Sequence, residues 1–190
     1  ANTVTARVIG VVENQAPTKA LTVDLAVTDG RVEPDEGRDV AQIALVERHR
    51  GTGGVVNGFV SGFGYKGRMA IASTVAHDSH HMIVVGTDRD LMAKAANRLG
   101  EIGGGITVWK DGAEIASVPL PIAGLMSDRP AQEVAAAAER MVQAMEECGC
   151  RLNNAYMQHS LLALVVIPEI RISDLGLVDV TTFELTELFT

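Results

Sequence analysis

Residues 70–76 and 82–85 set the strongest limit on the fold. The first stretch, Ala70-Ile-Ala-Ser-Thr-Val-Ala76, is small and uncharged. The second, Met82-Ile-Val-Val85, is β-rich and stops at Gly86. Neither alternates apolar with polar residues. Strands keep such runs only when both faces of their sheet are covered. Between the two lie His77, Asp78, Ser79, His80 and His81, with three of the chain's five histidines. A loop joining strands is ordinarily polar, and Asp and Ser are common turn residues. Imidazoles and a carboxylate beside buried strands, however, are costly to hide and well placed for chemistry. His77 and His80 are spaced to converge on one ion or ligand, with Asp78 as ligand or orienter. The spacing is equally compatible with a hydrogen-bonded cluster that ties the loop together.

The remaining elements follow from local pattern. Residues 4–11 read as a strand, and Leu21 to Val27 alternates as a strand with one wet face, ending at a hairpin turn, Asp29-Gly30. Val32 to Arg38 is acidic and contains a proline, so it reads as a loop. Ala41 to Val46 is a further strand leading into Glu47-Arg48-His49-Arg50 and a glycine-rich loop, Gly51-Thr-Gly-Gly54. Backbone N–H groups of such a loop can hold an anion, or the loop is a surface turn. Val55 to Phe63 is a glycine-interrupted strand. A helix over 88–100, capped by Thr87 or Asp88, presents Leu91, Met92, Ala95, Ala96 and Leu99 on one face. Residues 105–110 and 114–120 form a hairpin about Asp111-Gly112.

Pro119 to Ser127 is apolar and irregular, fit for a pocket, an interface or a buried connector. Ser127 or Asp128 is expected to cap the longest helix, with Pro130 in its first turn and Gly149 as its stop. Val134, Ala138, Met141, Val142, Met145 and Cys148 are its expected buried stripe. A third helix runs from Asn153 or Asn154 to about Leu164. Glu169 to Ser173 is extended, and Phe183 to Phe189 alternates as a terminal strand with one exposed face. Together these define an α+β (mixed α/β) domain, with a largely antiparallel sheet of several strands and about three flanking helices. Residues 1–35 either end a neighbouring domain or supply the first strands, and 36–190 form the main domain.

Composition narrows the function classes. With 47% hydrophobic and 21% charged residues, the 190-residue chain can bury a core of its own. A formal net charge of −8, with no basic stripe, argues against binding a nucleic-acid backbone. The longest apolar run, Leu161 to Ile167, falls far short of the ~20 residues that span a membrane. No stretch reads as a signal peptide. Cys148 and Cys150 lie too close together to make a disulfide framework, so a cytoplasmic location is expected. The chain opens on alanine, so it is expected to be processed, trimmed or part of something longer.

Several stretches together resemble a known family. They are Asn57-Gly-Phe59, Gly62-Phe-Gly64, Ala70 through His80, Ile83-Val-Val-Gly86, Gly103-Gly-Gly105, Leu120-Pro-Ile-Ala-Gly-Leu-Met-Ser127, Ile167-Pro-Glu-Ile170 and Gly176-Leu-Val-Asp179. In this order they resemble the C-terminal domain of bacterial adenine deaminase, in the amidohydrolase superfamily, from about Val40 onward. His81 stands where the family more usually has asparagine, and Gly67-Arg-Met69 also departs from its pattern.

The resemblance implies hydrolysis of adenine to hypoxanthine and ammonia, at a two-metal centre of manganese or iron. That centre sits in a (β/α)8 barrel, which needs ~250 residues of its own and so lies outside this chain. The main catalytic metal ligands are accordingly expected elsewhere, since the chain has no His-x-His pair, nor the motifs of the zinc base deaminases; His77, Asp78 and His80 would contact the purine, shuttle a proton or hold a further metal ion. The implied partners are adenine, the barrel of the same protein and further copies in a homo-oligomer. On this resemblance His77, Asp78 and His80 are candidate catalytic residues at the border of the active site, with Ser79 and His81 as candidate substrate contacts. The alternatives are a structural domain and a stand-alone module that binds a small ligand.

Overall fold

The computed structural model describes residues 2–190. Strands β1 (Asn2–Gly10), β2 (Lys19–Thr28), β3 (Arg31–Val32), β4 (Val40–Val46), β5 (Val55–Ser61), β6 (Met69–Ser73) and β7 (Met82–Gly86) come first. Helix α1 (Arg89–Ile102), strands β8 (Gly105–Lys110) and β9 (Ala113–Pro119), and helices α2 (Ala131–Glu147) and α3 (Ala155–Ser160) follow. Strands β10 (Ile170–Ser173), β11 (Gly176–Asp179) and β12 (Glu184–Thr186) close the chain. Nine strands form one sheet in the order β3-β2-β1-β5-β4-β7-β6-β8-β9, and β10–β12 form a second. The strand pairings are antiparallel apart from β1 with β5, so the expected α+β class with a largely antiparallel sheet holds.

The two apolar runs are β6 and β7. They pair with each other inside the large sheet, Ser73 opposite Ile83, and every residue of both is buried. The reason is that both faces are covered. On one, Leu91, Met92, Ala95 and Leu99 of α1 pack over Ala70, Ala72 and Val84. On the other, Met141, Ala144 and Met145 of α2, which lies over β8 and β9, join Cys148 and Ile170, Ile172 and Leu177 of the small sheet in one cluster with Ile43, Leu45, Ile71 and Val85. Each large side chain so buried contributes roughly 1.5–3 kcal/mol, as an upper figure. Asp88 caps α1 by accepting the Leu91 N–H at 3.0 Å, and Gly103 ends it in the left-handed region at φ 80°.

The first strands join this same sheet. β1 pairs along its length with β2, and Ile9 and Gly10 pair with β5. The C-terminal residues close against β1, with the Arg7 N–H donating to Leu188 O and the Thr190 N–H to Thr5 O. Among the described residues no helix is long and apolar enough to cross a membrane.

Several details differ from the sequence pattern, among them the expected loop Val32–Arg38, where Val32 belongs to β3 and Glu36–Arg38 form a 3-10 turn capped by Asp35. Helix α2 starts at Ala131, with Pro130 at its cap and no side-chain cap; the Ser127 hydroxyl instead accepts the Arg129 N–H. Pro130 disfavours helical backbone at Arg129, so the chain enters the helix only afterwards. Val142 is exposed, because it sits about 100° round the helix from Met141, past the edge of the buried stripe. Helix α3 stops at Ser160, short of Leu164; beyond it the buried Arg171 guanidinium takes the carbonyls of Leu161 and Ile167. The terminal alternation makes only a three-residue edge strand, β12. Phe183 and Leu185 face solvent, because Ile170, Ile172 and Leu177 already fill the inner side of the small sheet.

Candidate functional site

The loop joining β6 to β7 emerges where both strands leave the core. Its backbone is pinned twice: the His77 N–H donates to Ser160 O at 2.9 Å, and the His80 N–H to Ala76 O at 2.7 Å. The Ala76 N–H donates in turn to His80 Nδ1 at 3.1 Å. That bond fixes the neutral tautomer, so Nε2 of His80 carries the proton. His80 holds a left-handed backbone, φ 53°, which non-glycine residues adopt seldom and Asn more readily than most. The His77 and His80 rings meet edge to face, centroids 5.1 Å apart. Burial, then the neighbouring His77 and Arg48, hold the His80 pKa below its ordinary value, so the ring is neutral at physiological pH. Asp78 and Ser79 are exposed, whereas His81 is buried with Nδ1 lacking a partner. His81 Nε2 lies 3.7 Å from Asp174 Oδ2, at the turn between β10 and β11.

Two further side chains converge here from the loop after β4. Arg48 donates from Nε to His80 O at 2.6 Å and from Nη2 to Ala123 O at 2.9 Å. His49 Nε2 is 2.6 Å from Ser79 O, and its ring packs 4.7 Å from that of His81. Sequence reasoning singled out Glu47 to Arg50 only as a charged cluster before a glycine-rich loop. The one available signal was its position directly after a buried strand, and nothing local pointed to residues 77–81.

The loop does hold an anion, and that anion is its own. The Glu47 carboxylate accepts the N–H groups of His49, Arg50 and Thr52 and the Thr52 hydroxyl, which lower its pKa to about 2. The backbone N–H groups of His49, Arg50 and Thr52 are thereby engaged.

One histidine escaped the sequence reading altogether. His159 of α3 is fully buried, neither ring nitrogen has a partner, and its ring stands edge-on to Phe63 at 6.5 Å. Burial lowers its pKa to about 3.

The donor set does not suit a metal ion. His80 commits Nδ1 to Ala76, and His49 commits Nε2 to Ser79. Among the described residues no three His, Cys, Asp or Glu side chains converge as ligands. A ligand role for His77, Asp78 and His80 therefore does not fit. What the arrangement offers is a neutral imidazole with a fixed N–H donor, a second imidazole beside it and an exposed carboxylate, on a loop clamped from two sides.

Fold and site together define an α+β domain that presents a histidine loop at one end of its large sheet. Residues 15–184 match the family model for the adenine deaminase C-terminal domain, and the chain belongs to that family. It is 78% identical over 184 residues to an adenine deaminase of Roseobacter denitrificans, covering 97% of this chain and 30% of that protein. An adenine deaminase of Paracoccus denitrificans is 77% identical over 182 residues, with 96% and 30% covered. One from Moorella thermoacetica is 47% identical over 184 residues, with 97% and 31% covered. The chain thus spans about 30% of the length of these relatives.

Proposed function

We propose that this chain is the C-terminal domain of an adenine deaminase, a cytoplasmic homo-oligomer that hydrolyses adenine to hypoxanthine and ammonia. The two-metal centre of manganese or iron belongs to the part of the polypeptide outside the chain. The observation that carries this reading is a family match over residues 15–184 within relatives more than three times as long. On this reading His77, Asp78 and His80 border the active site. His80 offers its Nε2–H to the purine or to water, Asp78 offers a carboxylate acceptor, and His77 sets the field around the His80 ring. Ser79 and His81 lie at the edge of the substrate space.

A structural role for the cluster is the second reading. The bonds from Arg48 and His49 to the loop's own carbonyls favour it.

The division of labour is tested with the isolated chain, supplied with adenine and manganese or iron, its cooperative melting recorded as a folding control. No turnover is expected. Turnover at ~1 per second, an ordinary enzymatic rate, would show that the catalytic ligands lie within this chain.

A further inference from the structure

The end of the sheet that carries the histidine loop also carries an apolar rim. Loop tips are usually polar, since they face water. Here Leu175 is 76% exposed at the turn between β10 and β11, and Met126 and Ile122 are 58% and 45% exposed in the segment after β9. Val55, where β5 begins, is 51% exposed. These positions come from two separate connections and a strand end, and both connections lie against residues 74–81. Polar ties beneath them explain why. Arg48 joins His80 O to Ala123 O. The Thr74 hydroxyl donates to Gly124 O at 2.6 Å, and Asp174 faces His81. Gly124 is required at this closure: at φ 74°, a Cβ there would lie 3.0 Å from Thr74 Oγ1 and 3.1 Å from Arg48 Nη2. Apolar tips held on clamped backbone lose little conformational entropy when covered.

We infer that this end of the domain is the docking surface for the remainder of the same polypeptide, an inference that rests on the proposed role of the histidine loop. An apolar rim around a polar centre is how an interface excludes water from the groups it encloses. About 70% of each relative's length lies outside the matched region, which supplies the occupant. Tethering gives that occupant an effective concentration in the ~mM range, ahead of any separate molecule. If the histidine loop borders a catalytic centre in that portion, Leu175, Ile122 and Met126 are the side chains that seal the junction.

The test uses the full-length protein carrying Met126→Cys or Leu175→Cys. Maleimide labelling of each peptide is read by mass spectrometry, natively and in urea. Docking predicts native labelling at least ~10-fold slower than in urea, because a covered thiol reacts only through opening. Native rates near the urea rates would overturn the inference. Protection that vanishes on dilution would assign the cover to a second copy, and would overturn it equally. Labelling does not depend on turnover, so it separates this inference from the catalytic reading. Protected tips with fully active His77→Asn and His80→Asn variants would leave the docking in place and remove the catalytic role.

Discussion

His159 and His80 are the same side chain in opposite settings. His159 lies in the apolar layer beneath α3 with both nitrogens unpartnered, while His80 stands at the sheet's end with one nitrogen engaged and the other available. Burial depresses both pKa values, and it does so far more at His159, to about 3. The more perturbed group is the one that no substrate can reach. Perturbation alone therefore does not locate chemistry; it has to coincide with access and with a fixed donor direction.

The contrast between a layer that carries stability and an end proposed to carry chemistry can be broken in order of effect. The largest change is expected from Met141→Asp, which places an unpaired charge in the buried cluster that Met141 shares with Met145 and with Val108 and Val118 of β8 and β9. It should cost about 4 kcal/mol or more, read as a collapse of the melting transition; wild-type melting would show that α2 does not cover the sheet as described.

Next is the acid response of His159. Its folded pKa is depressed, so between pH 6.5, its ordinary value, and about 3 the unfolded chain binds more protons. Its contribution to stability is therefore lost as pH falls through that window, by up to about 1.4 kcal/mol per pH unit. His159→Leu should flatten the dependence of the urea midpoint on pH below about 6. An unchanged slope would place the acid sensitivity elsewhere.

At the other end, His77→Asn and His80→Asn in the full-length protein should each lower turnover at least ~10-fold, about 1.4 kcal/mol of transition-state stabilisation. Melting temperature and metal content should stay unchanged. Asn suits the left-handed backbone at His80 and can accept the Ala76 N–H, so the variant removes the titrating ring with little disturbance of the loop. Full activity, or activity lost only through unfolding, would make the cluster structural. The smallest effect is expected at His81→Asn, because His81 is buried with its Nδ1 unpartnered; a large loss there would move the centre of the site toward His49 and Asp174.

Much of this was legible in the sequence. The unbroken apolar runs required a sheet covered on both faces, and α1 and the β8–β9 hairpin carried local signals of capping and turn chemistry strong enough to place them. The departures have a common cause. The fates of Val142, the α3 terminus and the last strand depend on which neighbour already occupies the buried side, which no local period records. The candidate site was half legible. Residues 77–81 announced themselves by type, whereas Arg48 and His49 reach them across 32 and 30 positions of sequence through backbone carbonyls that carry no residue signature.

Arg171 adds a statement about time. Its guanidinium holds the carbonyl of Ala16, a partner 155 positions earlier, together with those of Leu161 and Ile167. Nearby, Thr18 bonds Ile170 O across 152 positions, and Gln158 bonds Gln15 O across 143. During synthesis the connection between β1 and β2 therefore waits for almost the whole domain to leave the ribosome before its polar groups find partners. Loop closure on that scale slows folding far more than it weakens the folded state. A nascent chain halted before Arg171 should hold the β4–β9 sheet while its first hairpin stays open to protease, and should close within the few residues that release Arg171.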